Sequence, residues 1–320
     1  MMKANDSLEQ IRKELLAAET ITLAGHTNPD GDAIGACLAL GGALEKSGKR
    51  VQVVLETYGD KYHLIPNGHL VKQAEDAAVT DLFLALDCGD EERLGEAGRL
   101  FRQAKRRINV DHHGSNTRYG ELNYVDADAS STSEIVFRLM KDHFLMTAAE
   151  AAGLYAGLIY DTGGFRHSST SPETMRIAGE LMDYGIPFTE IYNRFFDSRS
   201  FTELKIIGRA LDRAELLYDG AVVVSWITAE DLADTGSSSK ELDAIVNFLK
   251  GVLGAKIACF FYEKTETDVK GSFRGNDGYD VCALAQKFGG GGHVKAAGCT
   301  IQAPIAEAKK RVLAEVEKML

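Results

Sequence analysis

Four short segments carry the side chains best suited to chemistry. They are His26-Thr27-Asn28-Pro29-Asp30-Gly31-Asp32, Leu86-Asp87, Asp111-His112-His113 and Ile159-Tyr160-Asp161-Thr162-Gly163. Each alone has a plain structural reading. Asp32 could cap a helix starting at Ala33, and Asp30-Gly31 could be a turn. Asp87, His112 and His113 could be loop residues, and Asp161 could cap a short turn. Together they are harder to explain, because gathering several carboxylates in one place is costly unless cations neutralise them. A carboxylate and imidazole set without thiolates suits two divalent ions, manganese first, with magnesium, cobalt or iron as alternatives and zinc still open. Asp-x-Asp can place two carboxylates on two ions, and Asp87 can bridge them. Two ions about 3.5–4 Å apart would activate a water and stabilise negative charge on a phosphoryl group.

Such a site needs elements that bring the four segments together. Short apolar runs at 20–25, 51–55, 82–86 and 108–110 read as strands buried on both faces. They alternate with helical patterns, beginning with 33–48, which predicts a parallel α/β sheet. In such a sheet the carboxyl ends of the strands line one crevice, where ligands bind. Helical patterns also cover 133–160 and 172–183, and 192–217 reads as mostly helical. The pattern then changes, with strands at 221–227 and 256–262 around a helix near 239–249, and further strands at 269–274 and 298–302. A domain boundary therefore falls within about residues 190–220. Gly289 to Gly292 is the one strongly biased segment.

Other chemistries find little support. There is no GxSxG elbow, no GK[ST] phosphate loop and no GxGxxG fingerprint. The five cysteines, Cys37, Cys88, Cys259, Cys282 and Cys299, form no CxxC pair, which argues against a disulfide framework or a thiolate zinc site. Cys37, Cys259 and Cys282 read as small hydrophobes. Cys88 lies between Asp87 and Asp90, the wrong charge for a phosphoryl-cysteine. The 36 basic and 47 acidic residues give a net charge of −11, which favours small phosphorylated substrates over long duplex nucleic acid. No apolar stretch is long enough to span a bilayer. The opening MMKANDSLEQIRKELL reads as an amphipathic helix rather than a secretory signal, so a cytoplasmic protein is expected.

With the triplet Asp111-His112-His113 and its three companion segments, the chain resembles the DHH phosphoesterase superfamily. Gly271-Ser272-Phe273-Arg274 and the run from Gly289 through His293 to Gly298 look like the DHHA1 substrate-binding domain. The compact form is most similar to the branch of bifunctional oligoribonucleases (nanoRNases) that also act as phosphatases on 3′-phosphoadenosine 5′-phosphate (pAp). The resemblance implies a parallel-sheet DHH domain over 1–190, a helical linker over 191–217 and a smaller α/β DHHA1 domain over 218–320, the two closing over substrate. It implies that His26 and Asp30 hold one metal, Asp32, His112 and Asp161 the other, and that Asp87 bridges. His113, with Asp111, would be catalytic, facing the scissile phosphate as electrophile or proton donor. Arg274, His293 and the backbone of Gly290, Gly291 and Gly292 would grip a substrate phosphate, with Arg166 a further contact. Ala36 and Gly275-Asn276 stand where the family often has Ser.

The expected reaction is hydrolysis by a metal-bridging hydroxide, acting on RNA of a few nucleotides, pAp and pApA. The alternative is a phosphodiesterase for cyclic di-AMP or pApA. A type II pyrophosphatase, a long single-strand exonuclease and a nonenzymatic nucleotide sensor fit less well. Apolar helix faces are compatible with a homodimer.

Overall fold

In the computed structural model, which describes residues 5–320, the chain divides after Ser198 into two compact units. The N-terminal helix α1 spans Leu8–Ala17 and is capped by Ser7; the first four residues of the expected amphipathic segment lie outside the described residues. The first unit continues with β1 (Thr20–Ala24), α2 (Gly31–Lys46), β2 (Arg50–Val54), β3 (Val71–Lys72), β4 (Leu82–Leu86), α3 (Ala97–Gln103), β5 (Arg106–Asp111) and β6 (Leu122–Val125). All six strands run parallel in the order β3-β2-β1-β4-β5-β6. The order reverses between β1 and β4, so their carboxyl ends flank the crevice where ligands bind in open sheets of this kind.

The apolar runs face both ways. Leu82, Leu84 and Leu86 of β4 join one core, and Phe83 and Ala85 join the other with Leu100 and Phe101 of α3. The larger core is completed by α4 (Thr132–Met140), α5 (Ala148–Asp161) and α6 (Pro172–Met182). The helical pattern over 133–160 is therefore two helices, parted where Thr147 and Glu150 form a capping box that starts α5.

The pattern over 192–217 is interrupted too. Helix α7 (Phe188–Tyr192) runs into a π turn at Asn193–Asp197, and α8 (Phe201–Asp212) starts afresh from its Ser200 cap. Helix α8 lies in the second unit, followed by β7 (Glu215–Leu217), β8 (Val222–Ile227), α9 (Ala229–Thr235), α10 (Ile245–Lys250), β9 (Ile257–Glu263), β10 (Asp268–Gly275), α11 (Val281–Gln286), β11 (Gly291–His293), β12 (Ala296–Gln302) and α12 (Ile305–Glu317). Its sheet has the order β11-β12-β10-β9-β8-β7 and is antiparallel except for β8 beside β9. Period-two burial places Ile257, Cys259 and Phe261 against α11 and α12, and Ala258 and Phe260 against α8 and α10. Cys282 is half-exposed rather than enclosed, its thiol donating to the Gly292 carbonyl at 3.1 Å.

Candidate metal centre

The four segments of the first unit meet at the sheet's switch point. His26 follows β1, Asp87 follows β4, and Asp111 ends β5 with His112 and His113 just beyond. Asp30 caps α2 by accepting from the amides of Asp32 and Ala33 at 3.0 and 3.2 Å. The helix therefore begins two residues earlier than its apolar pattern indicates, and Asp32 lies inside its first turn, fully buried. Asp161 is the last residue of α5. A carboxylate there opposes the helix dipole and needs positive charge nearby.

Small residues bring these helix ends together. A Cβ on Gly35 would stand 2.3 Å from the Gly153 carbonyl oxygen, and one on Gly157 would stand 2.0 Å from Ser133 Oγ and 2.6 Å from Asp32 Oδ1. Their absence lets α2 and α5 pack backbone to backbone, which sets the start of α2 against the end of α5.

Asp87 stands between two donor groups. Its Oδ2 lies 3.6 Å from His26 Nε2, itself 3.8 Å from Asp30 Oδ2. Its Oδ1 lies 3.6 Å from His112 Nε2, which is 3.1 Å from Asp161 Oδ2. Candidate ligand atoms of His26, Asp30 and Asp87 lie within 4.8 Å of one another, as do those of Asp32, His112 and Asp161. Asp87, His112 and His113 form a third such group. Asp87 also has φ of +54°, a left-handed conformation that Asp tolerates better than most residues and that is common at functional sites.

The electrostatics are those of a cation site. Burial and the charges of Asp87 and Asp161 push the Asp32 carboxyl well above its usual range. Burial, with the charges of Asp87 and Asp30, also raises Asp161 against the pull of His112. Burial alone would lower His26 and His112, but their carboxylate neighbours prevail and raise each to about 10. Buried His112 Nε2 makes no hydrogen bond, although Asp161 is close by. In the first two groups four carboxylates share only two imidazoles, and an imidazole nitrogen without a bond among them fits a divalent cation with carboxylate and imidazole ligands.

Outside these groups, His113 Nδ1 meets Asp111 Oδ1 at 2.8 Å. That bond raises the His113 imidazole's pKa. Asp111 is fully buried; burial would raise its carboxyl, but His113 and Asn116 hold it below the usual range. Sequence reasoning missed Asn116, whose side chain donates to Asp111 Oδ2 at 2.6 Å and to Asn109 Oδ1 at 2.8 Å. It also missed the first turn of α4, where the Thr132 and Ser133 amides donate to Asp32 and the Thr132 hydroxyl donates to Asp87. The Ser131-x-x-Glu134 capping signal marks that turn in the sequence.

Arg166 is exposed and folds back, its Nε donating to the Gly163 carbonyl at 2.9 Å. In the second unit, Arg274 on β10 is half-buried, with Nε donating to Asn247 Oδ1 at 3.1 Å. His293 ends β11 and is exposed. Gly291 and Gly292 pair with Gly298 and Ala297 in a hairpin. Gly290 donates its amide to the Ala285 carbonyl, and a Cβ there would stand 2.2 Å from the Gly298 carbonyl oxygen. Close backbone packing thus explains part of the glycine run.

An α/β sheet with acidic and imidazole groups placed to bind metal at its switch point defines a hydrolytic enzyme of the phosphoesterase class. The chain belongs to the DHH family: residues 20–160 match the DHH family N-terminal domain and residues 219–320 match the DHHA1 domain. It is 31% identical to the bifunctional oligoribonuclease and PAP phosphatase NrnA of Thermus thermophilus, over 98% of this chain and 95% of that protein. It is 28% identical to the Bacillus subtilis protein of the same name, over 94% and 95%. An exopolyphosphatase-related protein from Bacteroides fragilis superposes with a TM-score of 0.84 at 26% identity, covering 96% of this chain and 94% of that one. No described helix is long and apolar enough to cross a membrane.

Proposed function

We propose that this chain hydrolyses RNA fragments of a few nucleotides to mononucleotides, and pAp to AMP and phosphate, using two divalent cations. The observation that carries the reading is the placing of Asp87, with one carboxylate oxygen toward His26 and the other toward His112. The near-full-length likeness to proteins named for both activities supports the substrates. Two cations there, manganese first among the candidates, would lower the pKa of water and neutralise charge on the phosphoryl oxygens. His26 and Asp30 hold one, Asp32, His112 and Asp161 hold the other, and Asp87 serves both.

His113 acts on the leaving oxygen. With Nδ1 engaged by Asp111, the proton it can deliver is on Nε2. Buried Asp111 favours the protonated ring, and Asn116 holds Asp111 in place. Arg274 and His293 supply charge and hydrogen bonds to a substrate phosphate, with Arg166 a further contact. Gly291, with open space on its Cβ side, and its neighbour Gly292 offer backbone to the same anion. The five cysteines are free, which suits the reducing cytoplasm.

The test is product release with manganese from pAp, pApA, a short RNA and cyclic di-AMP in parallel. Fast release from pAp and short RNA, with little from the cyclic compound, is expected. Preferential opening of the cyclic compound would replace this reading with a phosphodiesterase for cyclic dinucleotides.

A further inference from the structure

Asp87, which faces both donor groups, and Asp32, which belongs to one of them, are held by the same turn. The Thr132 amide donates to Asp32 Oδ2 at 2.6 Å and the Ser133 amide to Asp32 Oδ1 at 2.9 Å. The Thr132 hydroxyl donates to Asp87 Oδ1 at 3.0 Å. All four residues are buried. The amides belong to the first turn of α4, where backbone N–H groups have no partner within the helix. Binding both Asp32 oxygens fixes the plane of that carboxylate while leaving each oxygen a second lone pair.

Thr132 is not the helix cap. Ser131 fills that role, its Oγ accepting from the Glu134 amide at 3.1 Å. The Thr132 hydroxyl is therefore spare for Asp87. A carboxylate turns easily about its last torsion, because that torsion has broad wells. Turning at Asp87 would carry Oδ2 away from His26 and Oδ1 away from His112, which now lie 3.6 Å off on opposite sides. A hydrogen bond to Oδ1 opposes that turn.

We infer that Thr132 is a positioning residue, orienting Asp87 so that one oxygen serves each cation, while the amides of Thr132 and Ser133 orient Asp32. The inference rests on the metal-centre reading above. It assigns to α4, which supplies no ligand, the alignment of ligands that come from α2 and the end of β4.

The experiment compares full-length Thr132→Val, which keeps the shape and loses the hydroxyl, with Thr132→Ser, which keeps the hydroxyl. Manganese is titrated into chelator-treated protein and the free ion is followed by electron paramagnetic resonance. Melting of the metal-free forms is recorded alongside. Thr132→Val should bind manganese about 10–100-fold more weakly, the usual effect of losing a partner that orients a ligand. Thr132→Ser should bind close to the parent. If Thr132→Val does not fold, Thr132→Ala takes its place against Thr132→Ser. Parent-like affinity in the folded variant without the hydroxyl would overturn the inference, as would equal weakening in Thr132→Ser. A parent chain that takes up no manganese would instead overturn the metal-centre reading itself.

Discussion

Asp32 and Asp231 occupy matching local positions and receive opposite treatment. Each lies in the first turn of a helix, and their exposures are 0% and 5%. Asp231 is met by full positive charge, from Arg213 at 2.5 and 3.1 Å and Arg209 at 3.1 Å. It also accepts from the Thr228 amide and hydroxyl, closing a capping box. Burial works against ionisation there, yet Arg213 and Thr228 hold the carboxyl far below its usual range. Asp32 meets neutral amides and, beyond them, the charges of Asp87 and Asp161, and its carboxyl is pushed the other way. A buried acid answered by arginine secures the fold. Asp32, met by like charges and a single imidazole, stands in a group of side chains placed to bind a cation.

The sharpest way to break this contrast is at Asp87. Asp87→Ala should lower turnover by roughly 1,000-fold or more, because groups that act together fail together. The metal-free variant should melt close to the parent, since relief of crowding at Asp32 and Asp161 offsets the lost contacts to His26 and Thr132. Circular dichroism melts beside the product-release assay check this. Early unfolding would make the acid cluster structural, like Asp231. The next effect is steric. Gly157→Ala would drive a methyl into Ser133 Oγ and Asp32 Oδ1. A loss of about 1–3 kcal/mol is expected by chemical denaturation, together with weaker manganese uptake.

The sequence made much of this contrast legible on one side only. His26, Asp87 and the Asp111 triplet announce themselves because rare residue types follow apolar strands, and the sheet's topology then gathers strand ends. The sheet itself follows from runs such as Leu82–Leu86, which are apolar on both faces. Thr132 and Ser133 were not legible as partners of Asp32, because the donors are backbone amides that every residue carries. Strand β3, of two residues, and β7 and β11, of three each, are too short to show a period. Helix α9 was overlooked although its Thr228-x-x-Asp231 capping box is plain in the sequence. The break between α4 and α5 was hidden by continuous apolar spacing, and the Thr147-x-x-Glu150 box was the signal for it.

A smaller effect is expected at the opposite pole. Asp231→Ala removes one half of the Thr228 capping box and the partner of two partly exposed arginines. A loss of about 1–3 kcal/mol follows from the capping box and the charged hydrogen bonds together. Manganese uptake by the folded variant should match the parent, and denaturant melts with a metal titration check both. Impaired uptake would show that the arginine-answered acid is not purely structural.

The last and smallest effect is a difference in pH dependence between the two units. In the metal-free chain His26 and His112 are raised to about 10. A base raised on folding contributes stability that is complete below its unfolded value, about 6.5 for His, and lost as pH rises through about 10. Raised Asp32 and Asp161 have the same sign, contributing most below an ordinary carboxyl value and less as pH climbs. Depressed Asp231 has the opposite sign, with its contribution present above about pH 4 and lost as pH falls toward its folded value. Hydrogen exchange, corrected for intrinsic rates, can follow each unit separately. With chelator present, amides of α2 and α5 should lose protection between neutral pH and pH about 10, while those of α9 lose it only in strong acid. Manganese should abolish the alkaline loss in α2 and α5, because a bound cation replaces the protons the imidazoles would otherwise keep. Protection in α2 and α5 that stays flat across that range without metal would mean the imidazoles do not counter the carboxylates, and the contrast with Asp231 would lose its electrostatic basis.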